Sequence, residues 1–88
     1  MRSSVSENPA ALAPHKVLTR RQQEAVLAIG HFRHIRKAGT TWEIGPHRFS
    51  LTLVDALVRR HLAREASRSL SLTLAGQLAE KRLKERQQ

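Results

Sequence analysis

The ionisable side chains available for chemistry are five histidines, seven acidic residues and sixteen lysines and arginines, and there is no cysteine. His31 and His34 stand three apart and would share one face of a helix, a spacing that suits a metal. No carboxylate completes a persuasive ligand set around them, and His15, His47 and His61 are scattered. Neither a metal nor a cofactor is therefore expected. The missing cysteines exclude disulfides, thiolate-bound zinc, iron–sulfur ligation and thiol catalysis. No glycine-rich phosphate loop occurs. Asp55 and the scattered glutamates form no readable acid–base pair. The chain reads as a binding protein, not an enzyme.

What remains is charge. Sixteen basic residues against seven acidic ones leave +9 on 88 residues, which makes a polyanion the first partner to consider. The surplus alone does not choose between DNA, RNA and an acidic protein. Its distribution says more. Seven basic residues precede Gly45 and nine follow it, so this is no basic tail. Arg48, Arg59, Arg60, Arg64 and Arg68 cluster around one helix and one hairpin, with Arg33, Arg36 and Lys37 as a second group. Lys81, Arg82, Lys84 and Arg86 interleave with Glu80 and Glu85 and read as a solvated helix face. The aromatic residues Phe32, Trp42 and Phe49 are core candidates and too few for a base-stacking platform.

The positioning elements follow from periodicity. Residues 1–16, rich in Ser, Ala and Pro, read as a flexible N-terminal tail, with a short segment from His15 to Leu18 packing on the core. A single domain over 17–86 follows. Thr19 and Gln22 have capping-box spacing and open a helix that Gly30 would stop. From Phe32 to Ile44 two readings stand: a hairpin with strands 33–36 and 41–44, or a short helix over 31–37. After the Gly45-Pro46 turn, a helix over 51–61 carries the stripe Leu53, Val54, Leu57, Val58 and Leu62, capped by Ser50 or Thr52. Residues 63–66 and 70–73 alternate as a second hairpin with Arg68 near its tip. Leu74, Ala75, Leu78, Ala79 and Leu83 form the stripe of a last helix, in which Gly76 marks a close approach of two backbones. The fold class is α+β, with three main helices and one or two short β-hairpins.

Three stretches carry a resemblance. Phe49 to Leu62, with the run Leu57-Val58-Arg59-Arg60-His61-Leu62, resembles the recognition helix of bacterial winged helix-turn-helix regulators running into the wing. Leu72-Thr73-Leu74-Ala75-Gly76 resembles the opening of the last helix in MarR-like regulators, and Leu18-Thr19-Arg20-Arg21-Gln22 the start of their first. His61 stands where that pattern has glycine, and no positioning helix is legible between Gly30 and Gly45. The length is too short for the long dimerisation helices of full MarR-like proteins. The chain is similar to a small bacterial or phage winged-helix protein, including excisionases.

The resemblance implies double-stranded DNA as partner, with the helix over 51–61 in the major groove and the wing over 64–70 on the backbone or minor groove. His47 and Arg48 would clamp phosphate. Ser50, Leu51, Thr52 and Asp55 lie at the leading end, where Leu51 would touch a thymine methyl and Asp55 would either accept from cytosine or cap the helix. Arg59 and Arg60 would reach DNA or remain solvated, and Arg64 and Arg68 would bind from the wing. Arg36 and Lys37 would hold backbone. Arg20 and Arg21 oppose the dipole of the first helix, a hint of phosphate binding. The expected role is a transcriptional regulator; an excisionase-like recombination factor on tandem sites and a module for an acidic protein are the alternatives. A homodimer or cooperative multimer on DNA, and a second regulatory protein, are the further partners. With no disulfide framework, no apolar stretch after Arg2 and an apolar run of only five residues at Ala25–Ile29, no membrane and a cytoplasmic, nucleoid-associated place are expected.

Overall fold

Two prolines open the first helical turns among the described residues. The computed structural model describes residues 8–86. Within it α1 (Pro9–Leu12) and α2 (Pro14–Val17) each begin on proline, whose missing N–H has no partner to lose at a helix start. The Asn8 side chain caps α1, accepting from the Ala10 amide at 3.0 Å. Its amide nitrogen donates to the Arg60 carbonyl at 2.8 Å. Ala10, Ala11 and Pro14 are buried. Both turns pack against α5 (Leu74–Arg86). The flexible tail expected over residues 1–16 is thus corrected for 9–16, which are folded; residues 1–7 lie outside the described residues. His15 sits at this seam, where desolvation, then Arg86 and Lys16, hold its imidazole below the ordinary value.

α3 (Arg20–His31) begins with the expected capping box: Thr19 Oγ1 accepts from the Gln22 amide at 3.1 Å, and the Gln22 side chain accepts from the Thr19 amide at 2.9 Å. Gly30 does not stop it. The helix continues to His31 and caps on Phe32. Gly30 instead makes room for Glu80 of α5, whose carboxylate occupies the space a β-carbon at 30 would need. The Glu80 side chain is 16% exposed, and its Oε2 is buried without a hydrogen bond. Lys84 Nζ stands 3.4 Å away, within ion-pair range only.

The ambiguous middle is a sheet. β1 (Ile35–Ala38), β2 (Thr41–Ile44) and β3 (His47–Ser50) pair antiparallel in that order. β1 starts two residues later than expected, and β3 has no counterpart among the expected elements. In β3 only Phe49 is buried, so no alternation marks it in the sequence. Gly39 and Gly45, at φ +63° and +58°, supply the two left-handed turn positions. The register puts Lys37, Trp42 and Phe49 in one row and Arg36, Glu43 and Arg48 in another. Trp42, Ile44 and Phe49 face the core; the Arg36–Glu43–Arg48 row lies on the opposite face.

β3 runs straight into α4 (Leu51–Arg59), which ends two residues earlier than expected. Val54 and Leu57 are buried on its inner side. Arg60 caps it, and His61 follows in the left-handed region at φ +62°. That is the conformation glycine takes most readily just past a helix cap, and here a histidine adopts it. β4 (Ala63–Ala66) and β5 (Ser69–Leu72) form the second hairpin, β5 one residue earlier than expected. Ala63, Leu70 and Leu72 face the core, and Arg64, Ala66, Ser69 and Ser71 face outward.

α5 closes the fold with Ala75, Gly76, Ala79 and Leu83 buried. The close approach expected at Gly76 is there, against the Leu62 carbonyl. The architecture is α+β. Among the described residues it has five helices, a three-stranded antiparallel sheet and a two-stranded hairpin. Two short helical turns and a full sheet therefore replace the simpler expected plan of three helices and one or two hairpins. No helix among the described residues is long and apolar enough to cross a membrane.

Candidate nucleic-acid interface

The sheet uses some of the cations that the sequence singled out. Arg36 Nε lies 3.0 Å from Glu43 Oε1, and Arg48 Nε lies 3.8 Å from Glu43 Oε2. One carboxylate thus stands between two guanidiniums on the outer face. Both arginines remain about three-quarters exposed, at 77% and 76%, so solvent screens these pairs heavily. His47 is exposed on the same edge strand, its ring 5.6 Å from Phe32 and 6.0 Å from Phe49. Lys37 has partners within the chain. It reaches across to Glu65 at 3.3 Å and lies 5.8 Å over the Trp42 ring. It ties the three-stranded sheet to the second hairpin.

Arg21 has a comparable role. Its guanidinium pairs with Glu24 at 2.8 Å, donates to the Arg48 carbonyl at 2.7 Å and covers the Phe49 ring at 4.4 Å. Its place at the start of α3, against the dipole, is thus accounted for by a bracket onto β3. Nothing in its neighbourhood requires a phosphate.

On α4 the capping alternative resolves to Ser50, whose hydroxyl oxygen accepts from the Leu53 amide at 3.1 Å. Neither Thr52 nor Asp55 caps the helix, which corrects the capping reading of Asp55. Leu51 is half-buried against the core, so its side chain does not stand free at the leading edge. The exposed side of α4 carries Thr52, Asp55 and Arg59, at the i, i+3 and i+7 positions of one helical stripe. Asp55 has no basic partner within 4.0 Å among the described residues.

Beyond α4 the free charge accumulates. Arg59, Arg60, Arg64 and Arg68 are all exposed, and none has an acidic partner within 4.0 Å among the described residues. Arg64 stands on the outward face of the hairpin. Arg68 stands at its tip, where Ser67 and Arg68 form a two-residue turn at φ +45° and +68°. Such a turn ordinarily takes Asn-Gly, because both central residues are left-handed. His61, Ser67 and Arg68 are the non-glycine residues with positive φ among the described positions, and all lie within this segment. No glycine marks any of these three left-handed positions in the sequence.

The arrangement offers an exposed helix stripe, four guanidiniums without acidic partners among the described residues, and a hairpin tip. Such an arrangement can bind an anion through charge-assisted hydrogen bonds. No protein-family model, curated protein or solved structure matches the chain.

Proposed function

We propose that this chain is a sequence-specific double-stranded DNA-binding protein of winged-helix type, acting as a transcriptional regulator rather than an enzyme. The observation that carries the reading is the set Arg59, Arg60, Arg64 and Arg68. They are exposed, without acidic partners among the described residues, and grouped on the end of α4 and the hairpin that follows. The order of α3, α4, hairpin and α5 supports it, since winged helices place a wing directly after the helix that enters the groove. Here β1–β3 stand where such regulators have a positioning helix. In this reading α4 lies in the major groove, Arg64 and Arg68 hold phosphate or minor groove, and Arg36 and Arg48 on the outer face of the sheet meet backbone, while His47 lies on the other face of β3 beside Phe32 and Phe49. Duplex DNA is the polyanion favoured over single strands because Trp42 and Phe49 are turned to the core and offer no stacking surface.

The test is fluorescence anisotropy on a labelled duplex across a salt series. Affinity falls as salt rises, and Arg64→Ala and Arg68→Ala each reduce the slope of log K against log salt by about 1. Absence of binding at low salt, or slopes unchanged in both variants, overturns the proposal.

A further inference from the structure

Asp55 is an anomaly on a surface read as DNA-binding. Glu24, Glu43, Glu65 and Glu80 each hold a lysine or arginine at 2.8, 3.0, 3.3 and 3.4 Å, respectively. Among the described acidic residues only Asp55 and Glu85 lack such a partner, and Glu85 lies in the last turn of α5 between Lys84 and Arg86. Asp55 is different. It lies mid-helix on the exposed stripe of α4, one turn from Arg59, at a spacing where the two commonly pair, yet they do not. Ser50 has taken the cap, so helix stability does not explain the carboxylate. Facing phosphate, it would only repel.

A carboxylate accepts hydrogen bonds and donates none. In the major groove it is matched by an exocyclic amino group. Guanine offers acceptors there, and thymine an acceptor and a methyl group. Adenine sets its amino group beside the N7 acceptor, which repels the second carboxylate oxygen. Cytosine presents its amino group as the donor on its major-groove edge. We infer that Asp55 is a specificity-determining residue: from the middle of α4 it accepts from the amino group of one cytosine and, by repelling phosphate, disfavours unspecific sites. Thr52 and Arg59 flank it on the same stripe. The inference rests on the DNA-binding reading above and assigns one position of the site.

The experiment is selection from a random duplex pool by the full chain and by its Asp55→Asn and Asp55→Ala variants, followed by anisotropy on the selected and a scrambled duplex. Asp55 is exposed, so thermal melts of the variants should match the parent. The parent enriches cytosine at one position. Asp55→Asn moves that position to adenine, which an amide reads bidentately, and leaves the others unchanged. Asp55→Ala loses the preference there. Both variants bind the parent's selected duplex roughly tenfold less tightly. They bind the scrambled duplex more tightly. If both variants select the parent's sequence, or gain the same factor on both duplexes, Asp55 is only a repelling charge and the inference falls while DNA binding stands. A parent that binds no duplex overturns both.

Discussion

The α-carbon of Gly76 rests against the carbonyl oxygen of Leu62, so that a β-carbon at 76 would occupy the oxygen's place. The same oxygen accepts from the Thr73 amide at 3.0 Å. Thr73 also donates its hydroxyl to the His61 carbonyl and accepts from the Gly76 amide at 3.0 Å. The start of α5 is thereby locked onto the turn that leaves α4. The obstacle is backbone, which cannot rotate away as a side chain can.

Gly76→Ala is expected to destabilise the domain by about 3 kcal/mol, against the small gain that alanine brings to an open helix position. Urea unfolding measures it. A midpoint equal to the parent's would mean that α5 can slide off Leu62 without loss.

At the hairpin tip, stability and binding should move in opposite directions. Ser67 and Arg68 hold left-handed backbone that costs non-glycine residues about 1 kcal/mol each. Exchanging them for Asn and Gly, as Ser67→Asn with Arg68→Gly, should raise the thermal midpoint by roughly 5 °C. The same variant should lose affinity for duplex DNA, because the tip guanidinium is gone. A protein that is more stable and binds as tightly would place Arg68 away from DNA.

Glu80 is a carboxylate with a lysine in ion-pair range but with one buried oxygen lacking any hydrogen bond. It abuts Gly30 in the last turn of α3, where the helix dipole is negative. Glu80→Gln keeps the shape, removes the charge and adds a donor. It should stabilise by about 1 kcal/mol, the exposed half of the Lys84 pair being a small loss. Differential scanning calorimetry would show the shift; a lower midpoint would mean that Lys84 contributes more than its exposure suggests.

The long elements are legible in the sequence because each carries its own local signal. Thr19 and Gln22 cap α3 as their spacing says, and the stripe of Val54 and Leu57 marks α4. β3 is not legible because three of its four residues are exposed. α1 and α2 are too short to show a period, and their burial depends on alanines fitting against α5. For the site, Arg59, Arg60, Arg64 and Arg68 are exposed, as charged residues outside an apolar stripe ordinarily are. The roles of Arg21 and Lys37 stay hidden because their partners, Arg48 and Glu65, lie 27 and 28 positions away. The cap on α4 is ambiguous because Ser50 and Thr52 both qualify, and only the end of β3 decides between them.

That end has a mechanical meaning. Ser50 is at once the last residue of β3 and the cap of α4, with no loop between strand and helix. Leu51 donates its amide back to the Thr40 carbonyl at 3.2 Å, which fastens the junction to the turn between β1 and β2. Helix and sheet therefore form one rigid lever. Under the proposed DNA binding, the backbone that carries Thr52, Asp55 and Arg59 is already aimed, so the loss on contact would fall on exposed side chains such as Arg59 rather than on the backbone. The same stiffness removes latitude: a partner surface must match the angle at which the sheet already holds the helix.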